Sequence, residues 1–211
     1  MYIPAHFAET DLNTLHQLIM SHPFGVLITH GSQGLDANHL PFELHCDEGD
    51  FGTLHGHVAR NNPVWQALNH GDEVLIIFTA GDAYISPQWY PSKQKSHQQV
   101  PSWNYMVAHA YGKITIHDDE RYVRGVVARL TRTHEASQPV AWKMTDAPKD
   151  YIDSMLKLIV GIEIEITRIE GKSKLSQNKE HRDIAGAAHA LNASGHRVIA
   201  QAMQVIPDKN T

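Results

Sequence analysis

The chain has 211 residues, of which 42% are hydrophobic, enough for the core of one generous domain or of two small ones. Its net charge of −5 disfavours the class of autonomous nucleic-acid-binding domains, which are usually basic. The single cysteine, Cys46, excludes an intrachain disulfide framework, and no secretory signal or apolar run of about 20 residues is visible, so we expect a cytoplasmic protein without membrane spans.

The first half of the chain predicts one helix, four strands and a short second helix. After an extended arm over 1–8, residues 11–23 are expected to be helical, because their apolar residues share one face and Thr10 or Asp11 can cap them. Apolar runs bounded by turns predict strands over 24–30, 35–45, 51–59 and 73–86, the last of them buried on both faces. Asn62 and Pro63 begin a short helix that Gly71 closes.

The second half predicts two more strands and four helices. The strands are expected over 105–117 and 162–167, and the helices run from a cap at Asp118 to about His134 and over 146–159, 184–195 and 196–204. Residues 207–211 are expected to fray. We predict one α+β domain over 1–211, an antiparallel barrel of six or so strands with surrounding helices, with the C-terminal helices at 179–204 packed on it.

A polar loop with aromatic edges lies between Pro87 and Trp103. Loops of about fifteen residues inside a compact domain are uncommon and are usually functional or disordered, but disordered segments contain few aromatic residues. Because Trp89, Tyr90 and Tyr105 flank this loop as well, we interpret it as an ordered loop that binds a planar ligand. The alternative is that these aromatic side chains simply pack onto the barrel beneath them.

The same stretch carries a family resemblance. The segments YISPQWYPSK (84–93) and VPSWNYMVAHAYG (100–112) resemble the signature of the PaiB-like family of FMN-binding split-barrel proteins, whose members are described as negative transcriptional regulators. Three further segments match in family order: ANHLPFELH (37–45), GTLHGHVARNNPVW (52–65) and KSKLSQNKEHRD (172–183). The resemblance implies a split β-barrel, FMN as the cofactor, and a homodimer with the flavin between its subunits.

The candidate phosphate site lies at the end of the strand HGHVA. Arg60, Asn61 and Asn62 converge where a helix is expected to begin, and a guanidinium, amides and free backbone N–H groups suit an anion. The resemblance implies that this group, with His57 and Val58 before it, holds the FMN phosphate. The alternative is that Arg60 pairs with a surface carboxylate and Asn62 only caps the helix.

The remaining predicted FMN contacts come from three other segments. Backbone groups of one strand are expected at the polar edge of the flavin ring, and side chains of the other two segments are expected to donate, stack or supply a cation. These residues are Asn38, His39 and Leu40; Ser102, Trp103 and Asn104; and Lys174, Ser176 and Gln177. The alternative for Lys174 is a solvated surface charge.

Metal and nucleophile motifs are missing from the sequence. His55 and His57 could chelate a metal with His39 or His45, but there is no H-E-x-x-H motif and no Cys/His array, so we predict no metal site. A haem-binding split barrel is a further alternative for which no axial ligand is evident. No catalytic residue can be named, because Cys46 lies among carboxylates that would raise its pKa.

The sequence therefore predicts an FMN-binding protein of the PaiB-like type, a flavin-dependent redox or sensor protein linked to negative transcriptional regulation. An FMN-dependent oxidoreductase with a small-molecule substrate and a non-enzymatic FMN store both remain open. The alternative is a repressor that binds DNA directly, since helices over 184–195 and 196–204 are spaced like a helix-turn-helix. Direct DNA binding is doubtful, because the second of these helices offers only His196 and Arg197 as cations.

Overall fold

The computed structural model describes residues 1–206 and contains eight strands and seven helices, besides three single-turn 3₁₀ segments. The strands are β1 (Ala8–Glu9), β2 (Phe24–Gly31), β3 (Gly34–Pro41), β4 (Glu43–His45), β5 (Thr53–Ala59), β6 (Glu73–Ile85), β7 (Ser102–His117) and β8 (Ile159–Lys174). The helices are α1 (Leu12–Ser21), α2 (Val64–Ala67), α3 (Lys93–Ser96), α4 (Glu120–Glu135), α5 (Lys149–Leu156), α6 (His181–Ala193) and α7 (Arg197–Gln204). The predicted frayed tail at 207–211 lies outside the described residues.

The strands form one antiparallel sheet in the order β3-β2-β6-β7-β8-β5-β4, with β1 paired to β8. The α+β class is confirmed, with eight strands in place of six or so. The chain divides into two compact units, each built from separate segments. The first unit comprises 1–21, 79–108 and the described residues from Glu170 onward, and the second comprises 22–78 and 109–169. Within residues 1–206, no helix is long and apolar enough to span a bilayer.

The second unit is built around the pairing of β5 with β8. Alternate residues of these strands, including Leu54, Val58, Ile162 and Ile164, are buried, as period-2 side-chain alternation requires. Helix α4 has an apolar face at helical spacing, of which Val123, Val126 and Leu130 are buried. Full burial of such a side chain contributes roughly 1.5–3 kcal/mol, so this core supplies much of the unit's stability.

The first unit contains the two C-terminal helices. Ile184 and Leu191 of α6 and Ile199 and Met203 of α7 belong to one buried cluster with Ala83 and Ile85 of β6. The predicted aromatic loop is ordered and contributes Tyr90 to the same cluster. A buried carboxylate anchors that loop, because Asp183 of α6 accepts hydrogen bonds from the Ser92 backbone N (2.9 Å) and from Ser92 Oγ (2.6 Å).

Several predicted details of the strands and helices are wrong. The expected strand over 35–45 breaks at Phe42, whose N donates to the Pro23 carbonyl, so β3 and β4 are separate. In β6 buried residues alternate with less buried ones, so the prediction of burial on both faces fails. Helix α2 ends at Ala67 because Leu68 is extended.

The cap of α4 was also predicted one residue too early. The Asp119 carboxylate accepts the Tyr122 N–H at 2.8 Å and is the N-cap. Asp118, the predicted cap, instead faces Arg60. The two adjacent aspartates are equivalent by residue type, and only the backbone direction at the helix start distinguishes them.

Candidate functional site

The predicted phosphate group lies at the end of β5 in the second unit. The Arg60 guanidinium forms a bidentate pair with Asp118 (3.0 and 2.5 Å), and its Nε donates to the Lys157 carbonyl at 2.6 Å. This pairing lowers the pKa of Asp118 and raises that of Arg60. Both side chains remain partly exposed, so Asp118 holds Arg60 at the surface in a charge-assisted pair that another anion could replace.

Asn62 connects this strand end to β3. Its Nδ2 donates to Asn38 Oδ1 at 2.7 Å, and its Oδ1 accepts the Val64 N–H at 3.0 Å just before α2, whose N-cap is Pro63. Asn61 beside it is exposed. The structure therefore brings Asn38, Arg60, Asn61 and Asn62 to one edge of the second unit. It also shows the carboxylate pairing that the alternative interpretation gave to Arg60, whereas the predicted cap Asn62 precedes the observed N-cap, Pro63.

Two further predicted residues of β5 differ in burial. Val58 is part of the core, so only its backbone can face a ligand. The His57 ring is partly buried, and its Nδ1 is buried with no hydrogen-bond partner among the described residues. Burial lowers the His57 pKa and keeps the ring neutral. A buried polar atom without a partner costs free energy unless a ligand or water satisfies it, so His57 fits a ligand contact.

On β3, His39 is exposed and lies 6.2 Å from the Phe24 ring, centroid to centroid. Leu40 pairs with Gly25 of β2 in the strand ladder. Both residues belong to the second unit, on the same strand as Asn38. Their predicted contacts with the flavin ring through backbone groups stay predictions.

The other predicted flavin contacts lie in the first unit, where Lys174 bridges two residues of β7. Its Nζ donates to Ser102 Oγ at 2.6 Å and to the Trp103 carbonyl at 2.7 Å, and burial lowers its pKa. The Trp103 side chain is 54% exposed and meets the Tyr84 ring edge-on at 6.0 Å. Ser102, Trp103 and Lys174 thus form one group that combines an exposed aromatic face with a cation.

Three predicted contact residues are engaged inside the first unit instead. Asn104 is 1% exposed, and its Nδ2 donates to Ser176 Oγ at 3.0 Å and to Met203 Sδ at 3.4 Å. Gln177 Oε1 accepts the Leu175 N–H at 2.8 Å. These hydrogen bonds fix the segment after β8, where Ser176 has a positive φ of 69°.

A second polar cluster borders a cavity of about 380 Å³ in the second unit. His45 Nδ1 lies 2.7 Å from Glu48 Oε1, and His55 Nε2 lies 2.9 Å from Glu48 Oε2. Hydrogen bonding from His45 lowers the pKa of Glu48, whereas burial lowers that of His55. His117 and Arg129 also line the cavity.

Tyr122 of α4 forms the wall between this cavity and β8. Its ring stacks on His117 at 3.8 Å, and its hydroxyl donates to the Ile162 carbonyl at 3.0 Å. Gly161 makes room for the ring, because a Cβ there would lie 2.4 Å from Tyr122 Cδ1. Burial raises the Tyr122 pKa, so the hydroxyl keeps its proton.

The family is decided by sequence comparison. Residues 1–168 match the family model described as "Putative FMN-binding domain". The chain is 30% identical to the protease synthase and sporulation protein PAI 2 of Bacillus subtilis, over 99% of this chain and 98% of that protein. The chain belongs to the PaiB-like family of FMN-binding split-barrel proteins. It is also 33% identical to an uncharacterized protein of Emericella nidulans over 92% of each chain.

Solved structures agree on the fold. The flavocytochrome Anf3 from Azotobacter vinelandii matches with a TM-score of 0.59 at 11% identity, over 82% of this chain and 72% of that one. Identity this low shows the fold alone, which is the split β-barrel that the sequence motifs predicted. FMN is the cofactor of this PaiB-like chain, as its family membership indicates.

Each unit, taken by itself, contains residues whose chemistry fits part of an FMN group. The His57 Nδ1 without a partner and the partly exposed Arg60 suit polar and anionic ligand atoms. In the first unit, the exposed Trp103 face and the nearby Lys174 suit a planar ring that becomes anionic on reduction. Sequence motifs identified these residues, but they did not identify the cluster of His45, Glu48 and Tyr122. The sequence offered His45 and His55 only as possible metal ligands together with His57 or His39, and no motif included Glu48 or Tyr122.

We expect Arg60→Ala to weaken FMN binding about ten- to a hundredfold, because a charge-assisted hydrogen bond to the phosphate is lost. Riboflavin, which has no phosphate, should bind equally well to both proteins. Fluorescence titration with each flavin measures the two affinities.

Two control variants sharpen this test. Asp118→Asn leaves Arg60 held by the Lys157 carbonyl, so FMN affinity should not fall. Arg124→Ala removes an arginine of the same unit that pairs with Glu120 and Asp153, and it should have no effect. Equal losses of FMN and riboflavin affinity in Arg60→Ala would show that Arg60 is structural.

Proposed function

We propose that this chain is a flavin-dependent redox or sensor protein that acts as a homodimer and is linked indirectly to negative transcriptional regulation. The observation that carries the proposal is the exposed Trp103 side chain of the first unit together with Lys174, whose Nζ donates to the Trp103 backbone carbonyl. A cation beside a stacking surface stabilises the negative charge of a reduced flavin more than the neutral oxidised ring. In such a site the free energy of FMN binding depends on the redox state of the flavin, and a sensor needs this coupling.

The roles of the protein side chains follow from their positions. Bound FMN supplies electron or hydride transfer. Arg60 and Asn62 bind the phosphate, and His57 offers its free Nδ1 to a polar atom of the cofactor. Ser102 and the Trp103 carbonyl hold Lys174 through its Nζ, which directs the ammonium group. A substrate, if one is reduced, is a small molecule that reaches the flavin.

The link to transcription is proposed from the similarity to the Bacillus subtilis relative, which is named a protease synthase and sporulation protein. Direct DNA reading is disfavoured by the packing of α7, the candidate recognition helix. Ile199, Ala200 and Met203 of this helix are buried in the first unit, and Arg197 is its single cation. A recognition helix needs an exposed face with several groups that reach bases and phosphates. Regulation therefore acts through flavin chemistry or through a protein partner.

The homodimer is proposed from exposed aromatic surface. Trp103 and Tyr84 contact each other edge-on at the surface of the first unit, and both remain substantially exposed. Monomeric proteins rarely expose large contiguous apolar patches, and adjacent exposed aromatic rings are a candidate centre for an interface. A two-fold interface that covers these residues would remove their exposure in both subunits at once.

Lys174→Met should lower the reduction potential of bound FMN, because the cation that stabilises the reduced ring is lost. A shift of about 30 mV, which is a tenfold change in the two-electron equilibrium, is the expected minimum. Spectroelectrochemical titration of the FMN-loaded protein measures it. Lys179→Met is the control, since its Nζ donates to Gln99 instead. Identical potentials in all three proteins would contradict the redox proposal.

The chain alone should bind DNA weakly and without sequence preference, in the range of about 10⁻⁴–10⁻⁶ M that is typical of non-specific contact. Fluorescence anisotropy at near-physiological salt measures the affinity, and Arg197→Ala should leave it unchanged. Sequence-specific binding tighter than about 10⁻⁷ M would instead support the alternative, a repressor that binds DNA directly.

Light scattering at micromolar concentration should give the mass of a dimer. Trp103→Glu should shift the equilibrium toward monomer, because a charge would be buried in the interface. Val140→Glu serves as the control, since Val140 is 87% exposed and lies in the second unit. A monomeric wild-type protein would refute the proposed dimer.

A further inference from the structure

The cavity in the second unit contains three side chains whose ligand atoms converge. His45, Glu48 and His55 each offer one such atom, and these atoms lie within 4.8 Å of one another. His45 and His55 belong to the paired strands β4 and β5, and Glu48 lies in the turn that connects those strands. None of the three is among the residues that the sequence motifs assign to FMN. The group is therefore a separate feature of the hairpin.

The hydrogen bonds of Tyr122 determine which nitrogen of His55 faces the cluster. The Tyr122 hydroxyl has one hydrogen, and it donates this hydrogen to the Ile162 carbonyl at 3.0 Å. His55 Nδ1, which lies 2.8 Å from the same hydroxyl oxygen, must then be the donor in that contact. In the neutral ring the lone pair is on Nε2, the atom 2.9 Å from Glu48 Oε2.

In this arrangement two hydrogen-bond acceptors, His55 Nε2 and Glu48 Oε2, face each other with no hydrogen between them. A carboxylate oxygen has no hydrogen to donate, and the Nε2 of a neutral His55 has none either. A cation that binds both atoms satisfies them together. His55 is also the most buried member of the cluster, at 5% exposure.

His45, like His55, has a second hydrogen-bonding partner on the side of its ring that points away from Glu48. Its Nδ1 faces Glu48 at 2.7 Å, while its Nε2 lies 3.4 Å from Glu43 Oε2. Glu43 in turn accepts a hydrogen bond from Arg129 Nε at 2.6 Å. Histidines that bind metal almost always present their second nitrogen to a carboxylate, a carbonyl or water, which orients the ring. Both histidines of this cluster therefore have an outer partner and an inward nitrogen.

We propose that His45, Glu48 and His55 bind a divalent metal ion of the zinc type, with Tyr122 and Glu43 as outer positioning residues. Two imidazole nitrogens and one carboxylate oxygen form a ligand set that zinc uses in sites with an open fourth position. The cavity of about 380 Å³ beside the cluster leaves room for a water or small ligand in that position. Arg121 and Arg129 line the same cavity and favour an anionic ligand there.

Binding should stabilise the hairpin that carries the ligands. The turn between β4 and β5 contains Glu48, so a metal ties this exposed turn to the buried His55. A ligand that binds only the folded chain raises its stability in proportion to RT ln(1 + [L]/Kd). The thermal midpoint of the protein should therefore rise with zinc concentration.

The test uses the full chain without a histidine tag, titrated with Zn²⁺ in competition with a chromophoric chelator. We expect one ion per chain and at least a tenfold loss of affinity in Glu48→Gln. Glu48 is exposed, so this variant should fold normally, as circular dichroism can confirm. Asp47→Asn is the matched control, because it removes the same charge from the neighbouring exposed residue of the same turn and should leave zinc affinity unchanged.

A second variant tests the positioning role of Tyr122. Tyr122→Phe keeps the ring stacked on His117 but removes the oxygen that orients His55, and zinc affinity should fall about ten- to a hundredfold. Substitution with Co²⁺ should give the visible absorption bands of a four-coordinate site, and these bands should weaken in Glu48→Gln. No stoichiometric binding of Zn²⁺ would overturn the proposal, and equal affinities of Glu48→Gln and Asp47→Asn would do so too. In either case the cluster is held by hydrogen bonds between the two histidines and the carboxylate.

Discussion

The register between β5 and β8 is the constraint on which both candidate sites in the second unit depend. In this ladder His55 lies opposite Glu163, His57 opposite Gly161 and Ala59 opposite Ile159. A shift of one residue would move every side chain of β5 to the other face of the sheet. It would remove His55 from Tyr122, and it would separate Arg60 from the carbonyl groups at the start of β8. The buried apolar residues that alternate with the polar ones make such a shift costly.

Much of the fold could be predicted from local patterns in the sequence. Helix α1 begins after Asp11, whose carboxylate accepts the Thr14 N–H, and the alternation of isoleucines identified β8. The errors fall where local rules allow two answers. Asp118 and Asp119 are equally good caps by residue type, and the apolar run of β6 gave no sign that only alternate residues would be buried. Tertiary packing, which the local sequence does not contain, decides such cases.

The FMN residues could be predicted better than the histidine cluster, again because tertiary packing is not contained in the local sequence. The family motifs identify residues for FMN, although Asn104 and Ser176 have structural hydrogen bonds that no motif reveals. The histidine cluster depends on contacts over long separations, since His55 and Tyr122 are 67 positions apart. In the sequence, Tyr122 lies within a predicted helix and Glu48 lies between two predicted strands. Only the folded chain shows that the Tyr122 hydroxyl orients the His55 ring so that its Nε2 faces Glu48.

Charge pairing explains why an acidic chain with eighteen basic residues is poorly suited to read DNA. The guanidinium groups of Arg60, Arg124, Arg129 and Arg182 each pair with a carboxylate of the same unit. A phosphate contact at any of these four arginines would have to replace its carboxylate, and the displaced negative charge would then repel the DNA backbone. A small anion such as the FMN phosphate needs to replace only one carboxylate, Asp118, at an exposed strand end. The same charge distribution therefore disfavours an extended polyanion and still permits a single phosphate.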